Sequence, residues 1–219
     1  MTRVKICGIK EEVYALAAAE AGTDFIGVVF APSQRQITPV KAEKIAATVK
    51  ESGAATEVVG VFVNMPAPEV NKIAGFCHLD WVQLSGDESW EYCGDIAKPI
   101  IKAIRVNKRQ SPQEIATILT GGESILTNRK HVYLLDSQVK GKYGGTGKVF
   151  KWSLARQAAE QFPVIIAGGI TPENVTRAIK LATPWGVDVS SGVEVGGVKH
   201  IARIRALIEA VRRCDDNQR

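Results

Sequence analysis

An eightfold alternation of short apolar, β-rich runs with helix-patterned runs predicts an α/β fold, a single (β/α)₈ TIM barrel of parallel strands over residues 1–219. Two further observations point the same way. The strand runs are nearly continuous in apolar residues, as in sheets buried on both faces beneath helices, and such sheets are parallel. Eight units in 219 residues is about 27 residues each, a compact version of that barrel. The competing architecture, a doubly wound open sheet, announces itself by G-x-G-x-x-G after the first strand. Here the chain reads Cys7-Gly8-Ile9-Lys10-Glu11 instead.

The strands fall, in order, at Val4–Cys7, Phe25–Phe30, Val58–Val63, Trp81–Leu84, Ile100–Arg105, Val132–Asp136, Val164–Ala167 and Val187–Val189. Amphipathic stretches between them include Glu11–Ala21, Val40–Lys50, Ser111–Leu119 and Asn174–Leu181, and a last helix covers about His200–Arg213. Alternate strand side chains point to opposite faces. Val4 and Ile6 then face the helices and Lys5 and Cys7 the lumen. Val82 and Leu84 face out, Gln83 and Ser85 in; Leu135 out, Asp136 in; Val187 and Val189 out, Asp188 and Ser190 in. Ionisable groups in a lumen are costly unless paired, so a polar interior reads as a binding site. Lys5 or Lys102 is the expected partner of Asp188.

Hydrophobic residues make up 45% of the chain, enough for a sizeable core, and no apolar run approaches the length of a membrane span. The first residues enter a strand without a signal-peptide pattern, so a cytoplasmic protein is expected. Cysteines 7, 77, 93 and 214 show no C-x-x-C spacing and the three histidines are scattered, which supports neither a disulfide framework nor a metal site. The net charge of +5 is spread among acidic neighbours, a mild bias toward anions rather than a nucleic-acid surface.

Chemistry in such a barrel is done at the carboxyl ends of the strands. Cys7 lies at the end of the first, though a lone strand cysteine is more often a small buried hydrophobe. Asp136 ends the sixth strand, where it serves as an acid or as a turn cap. After the seventh strand comes Ala167-Gly168-Gly169-Ile170-Thr171, and after the eighth Ser190-Ser191-Gly192-Val193-Glu194. Loops at these two strands are the usual phosphate grip of the fold, because glycines let backbone amides approach an anion. The run Lys140-Gly141-Lys142-Tyr143-Gly144-Gly145-Thr146-Gly147 superficially suggests a nucleotide-binding loop. Its spacing fails at Lys142 and Val149, and a lid over the barrel mouth is the better reading. Arg35, in the loop after the second strand, is either a solvated surface arginine or a bidentate partner for a carboxylate.

Together these segments resemble the phosphoribosylanthranilate isomerase family, nearly end to end. The resemblance rests on Val4-Lys5-Ile6-Cys7-Gly8-Ile9, Ser33-Gln34-Arg35, Gly60-Val61-Phe62-Val63-Asn64, Val82-Gln83-Leu84, Leu135-Asp136, Gly144-Gly145-Thr146-Gly147, Ala167-Gly168-Gly169 and Asp188-Val189-Ser190-Ser191-Gly192-Val193-Glu194. Two positions depart from the family pattern. Ser85 stands where histidine is common, and Phe150-Lys151-Trp152 where the family commonly has Phe-Asp-Trp. The resemblance implies an Amadori rearrangement of N-(5-phosphoribosyl)anthranilate without metal or organic cofactor. Asp136 would be the general acid at the furanose oxygen and Cys7, as thiolate, the base at C2. Arg35 would hold the anthranilate carboxylate. Gly145, Gly168, Gly169, Ser190, Ser191 and Gly192 would contribute to substrate binding. Asp188 would accept from the anthranilate nitrogen or pair with a lumen lysine. These roles require a nearby cation or helix N-terminus to lower the Cys7 pKa and desolvation to raise that of Asp136.

The partner is then a small phosphorylated substrate, with neither nucleic acid nor membrane, and the protein is a monomer or a homodimer. A phosphate-binding epimerase would need a His/Asp metal cluster. An indole-glycerol-phosphate synthase would need a catalytic Lys–Glu pair, for which Lys5 supplies half. A non-catalytic anion- or RNA-binding barrel would have no need of both Cys7 and Asp136.

Overall fold

The computed structural model describes residues 1–107, 109–137 and 151–217. Strands β1 (Arg3–Cys7), β2 (Phe25–Val29), β3 (Glu57–Phe62), β4 (Trp81–Leu84), β5 (Ile100–Val106), β6 (His131–Ser137), β7 (Val164–Ile166) and β8 (Gly186–Val189) close into a barrel in chain order. Every neighbouring pair is parallel, and β8 pairs with β1 to complete the ring, Asp188 opposite Lys5. The helices are α1 (Glu12–Glu20), α2 (Pro39–Glu51), α3 (Ala67–Phe76), α4 (Trp90–Gly94), α5 (Pro112–Leu126), α6 (Arg156–Ala159), α7 (Val175–Ala182) and α8 (Ile201–Asp216). A two-stranded antiparallel hairpin, β9 (Glu194–Val195) with β10 (Val198–Lys199), follows β8. Strand and helix bounds shift by a residue or two from the sequence expectation, except that α5 runs on to Leu126 and α8 to Asp216.

Local chemistry starts the better-defined helices. Thr38 caps α2 by accepting from the Lys41 amide, with Pro39 as first residue. Ser111 and Glu114 form a reciprocal capping box at α5, again followed by proline. Thr2 donates from its amide and hydroxyl to Asp215 on α8, at 2.8 and 2.7 Å, which fastens the start of β1 to the last helix.

Outward strand residues such as Val4, Ile6, Ile26, Val82, Leu84, Leu135, Val187 and Val189 build the layer between barrel and helices. The lumen is divided along its axis. Its lower part is apolar, with Phe25, Val59, Trp81, Ile101, Val132, Leu134 and Ile165 in one cluster, against which Trp185 packs. Phe25 meets Trp81 edge-on at 5.8 Å, so rings plug the amino-terminal end. Polar side chains occupy the carboxyl-terminal end, the end the loops can reach. Among the described residues, no helix is long and apolar enough to cross a membrane. The four cysteines, all among the described residues, are buried.

Candidate active site

Lys5 and Cys7 both point inward from β1. Gly27, opposite Cys7 on β2, makes room for them: a Cβ there would lie 2.9 Å from Cys7 Sγ and 3.0 Å from Lys5 Nζ. The ammonium and the sulfur therefore share one small space. Lys5 donates to Asp188 Oδ1 at 2.8 Å across the β1–β8 seam, and its side chain is fully buried. Of the two lysines expected near Asp188, Lys5 is the partner. Lys102 has the parity of Ile100 and points out of the lumen, where it donates to the buried Glu88 at 2.9 Å. Glu88 also accepts from the Asn64 and Gly86 amides, so this pair braces the loops after β3 and β4.

Cys7 packs beside Val29 and Val61 and is 8% exposed. Burial pushes its thiol above the ordinary value; Lys5 pulls it down, and Asp188 pushes it up again. This corrects the expectation of a lowered thiol pKa. The cation is present, but Asp188 already neutralises it, and desolvation wins. Burial also pulls the Lys5 ammonium down, yet Asp188 and Cys7 more than offset it, so Lys5 stays charged. Asp136, at the end of β6, accepts from the Ser137 amide at 2.7 Å. Burial pushes its carboxyl up to about 6, with the Asp188 charge adding to the effect. An acid poised near neutrality and a buried thiol thus stand on either side of Asp188 around the ring.

Gln83 lies in the lumen on β4, its amide nitrogen 3.0 Å from Ser85 Oγ, so the serine that departs from the family pattern orients this amide. The Gln83 oxygen is buried and has no hydrogen-bond partner among the described residues.

The loops after β7 and β8 are built on each other. Gly168 and Gly169 have φ of +81° and +68°, conformations glycine adopts without strain. Asn174 holds their loop by accepting from the Thr171 amide at 2.8 Å and donating to the Gly169 carbonyl at 2.9 Å. A Cβ on Gly192 would collide with the Ile170 carbonyl, so the second loop can lie against the first only with glycine there. The amides of Gly169 and Ser191 find no acceptor among the described residues, which leaves donors for an anion. Gly145 and the expected lid lie outside the described residues.

Arg35 is not a free surface arginine. Its stem lies across Gly8, whose φ is +79° and where a Cβ would collide with it. Its Nε and Nη2 donate to the two oxygens of Glu194 at 2.8 and 2.7 Å. Lys199 Nζ donates to the same carboxylate at 2.6 Å and to the Ser190 carbonyl at 2.9 Å. Sequence reasoning assigned no role to Glu194, Lys199, Glu88 or Gly27. Glu194 did stand at the end of the glycine-rich motif, but nothing local joins it to Arg35. Among the described residues, no three His, Cys, Asp or Glu side chains gather as a metal site.

The family model for N-(5'-phosphoribosyl)anthranilate (PRA) isomerase matches residues 4–210. The chain is 45% identical over 218 residues to an N-(5'-phosphoribosyl)anthranilate isomerase from Dehalococcoides mccartyi, covering 100% of this chain and 99% of that one. It is similar to the crystal structure of phosphoribosyl anthranilate isomerase from Thermotoga maritima, with a TM-score of 0.81 and 35% identity over 97% of this chain and 100% of that one. It is also similar to a phosphoribosyl anthranilate isomerase in complex with reduced 1-(o-carboxyphenylamino)-1-deoxyribulose 5-phosphate, with a TM-score of 0.78 and 35% identity over the same shares. The chain belongs to the N-(5'-phosphoribosyl)anthranilate isomerase family.

Proposed function

We propose that the chain is a phosphoribosylanthranilate isomerase of tryptophan biosynthesis, one barrel domain over residues 1–219 that works in the cytoplasm. It converts N-(5-phosphoribosyl)anthranilate to 1-(2-carboxyphenylamino)-1-deoxyribulose 5-phosphate. The observation that carries this reading is the family match over residues 4–210, joined to a buried thiol and a near-neutral carboxyl in one polar barrel mouth.

Asp136 gives its proton to the furanose ring oxygen, the C1–O bond breaks, and the nitrogen lone pair forms a C1=N iminium. Cys7, as thiolate, takes the proton from C2, and the C–H electrons make the C1=C2 double bond of the enolamine. Tautomerisation, with loss of the O2 proton and protonation at C1, gives the ketone. Each step moves a proton between the substrate, Asp136, Cys7 and solvent, or shifts an electron pair within the substrate. The proton lost from O2 offsets the one gained at C1. The proton gained by Cys7 offsets the one given by Asp136, so an internal shift back restores the pair. The competent pair, thiolate with carboxylic acid, carries the same net charge as thiol with carboxylate. An internal proton shift therefore reaches it, although burial favours the thiol in the free enzyme. The iminium forms beside Cys7, and its positive charge stabilises the thiolate when the base is needed. Arg35 faces the anthranilate carboxylate, and the Gly168–Gly169 and Ser190–Gly192 segments take the phosphate. Asp188, held by Lys5, accepts from the anthranilate nitrogen while the iminium charge develops.

The test is loss of phosphoribosylanthranilate fluorescence with purified protein, with and without a chelator. The reading requires consumption at the same rate in both. Consumption no faster than in buffer refutes it, and loss of activity with chelator replaces it with a metal-dependent barrel enzyme.

A further inference from the structure

We propose that Glu194 and Lys199 form a bracket that aims Arg35 at the substrate carboxylate and restores its positive charge, making the β9–β10 hairpin a specificity element of the site. The inference rests on the reading of Arg35 as the carboxylate-binding residue and names what makes it one.

Three side chains carry it. Those of Arg35, Glu194 and Lys199 are 19%, 7% and 3% exposed. Glu194 binds the guanidinium side-on, through Nε and Nη2. That contact fixes the plane of the group and leaves its far edge, Nη1 with the second Nη2 hydrogen, as a two-pronged fork. A planar carboxylate is the ligand that accepts two parallel bonds from such an edge.

A carboxylate paired with Arg35 alone would cancel its charge and spoil it as an anion site. Lys199 prevents this. It shares Glu194 Oε1 with Arg35 Nε, so two cations meet one carboxylate and a unit of positive charge remains at the mouth. The same ammonium bonds the Ser190 carbonyl, at the start of the segment assigned to phosphate. One lysine thus ties the carboxylate end of the site to the phosphate end. Both acid and lysine come from the hairpin and face each other across its β9–β10 register, Lys199 opposite Glu194. Nothing in packing requires this triple: a buried ion cluster is weak as a stability device, because desolvation offsets attraction.

The experiment compares steady-state kinetics of wild type, Arg35→Ala, Lys199→Gln, Lys199→Arg, Glu194→Gln and the double variant Glu194→Gln/Lys199→Gln, with competition by ribose 5-phosphate alongside. Lys199→Gln should raise KM about tenfold while kcat and ribose 5-phosphate competition hold within about threefold, and Lys199→Arg should recover most of the loss. The double variant carries the decisive sign. It leaves Arg35 charged and unopposed, with the glutamine amide oxygen still able to accept one of the two guanidinium bonds that aim it. Its KM should therefore fall back toward wild type, whereas a merely structural cluster would be damaged further by the second change. Glu194→Gln leaves two unbalanced cations, so the dependence of KM on salt should steepen. An unchanged KM in Lys199→Gln, or a double variant no better than it, overturns the bracket. Unchanged salt dependence in Glu194→Gln overturns it even where Lys199→Gln fails to fold. An unchanged KM in Arg35→Ala instead overturns the carboxylate reading itself, so the two failures are distinguishable.

Discussion

Replacing Asp136 with Asn should stabilise the protein, and the gain should depend on pH. Burial moves the carboxyl from its ordinary 3.8 to about 6. A raised folded-state pKa means that the folded protein holds the neutral form better than the unfolded chain does. The associated stability is complete below the unfolded value and is lost as pH rises through about 6. Above that, the wild-type protein bears the cost of a buried charge, about two pKa units or about 3 kcal/mol. Asparagine bears none of it and keeps the oxygen that accepts from the Ser137 amide. Urea unfolding of the two proteins at pH 8 and pH 4.5 measures the difference. Asp136→Asn should be the more stable by up to about 3 kcal/mol at pH 8, with the gap narrowing by about 2 kcal/mol at pH 4.5. A gap of the same size at both values, or a less stable variant at pH 8, would refute the strained-acid reasoning.

Other consequences are as direct. Arg35→Lys should bind the anthranilate end little better than Arg35→Ala, since lysine offers no fork, and affinity for ribose 5-phosphate should hold in both; an equal drop in affinity for the sugar phosphate would point to misfolding. Gly27→Ala forces a methyl against Cys7 Sγ and Lys5 Nζ, at 2.9 and 3.0 Å, and should cut kcat about 10- to 100-fold with little change in KM; wild-type turnover would show that the sulfur's position is not critical. The pH profile of kcat/KM should be bell-shaped. Below about 6 Asp136 gains a proton while Cys7 keeps its own, and above the raised thiol value both are deprotonated. Activity should therefore hold from about 6 upward past the ordinary thiol pKa; a basic limb below that pKa would contradict the burial of Cys7.

The barrel was legible because its strands are apolar on the outer parity, and polar at the carboxyl end on the inner one. Lys5, Gln83, Asp136 and Asp188 stand out for that reason alone. Helices α4 and α6 were not legible: five and four residues carry no helical period. Pairings across the fold were also hidden. Arg35 and Glu194 are 159 positions apart, and only barrel closure brings the loop after β2 to the hairpin after β8. The thiol's direction of shift was hidden for a related reason. A partner for Asp188 was expected in Lys5 or Lys102, but the burial that chiefly raises the Cys7 thiol comes only when the barrel closes around it. Gly27 offered no signal at all, because its meaning lies in the atoms opposite it.

The central claim is that Cys7 and Asp136 move protons as a pair. Its most direct test measures kcat on phosphoribosylanthranilate for Cys7→Ser, Asp136→Asn and the double variant, beside the affinity of each for the reduced product analogue. Serine stays protonated at neutral pH, and asparagine keeps the shape but has no acidic proton to give. The account predicts that each single change lowers kcat by about 10² to 10⁴, that the double variant is little worse than either, and that analogue affinity stays within about threefold. Near-normal turnover in either single variant, or analogue binding that falls in step with turnover, would contradict it.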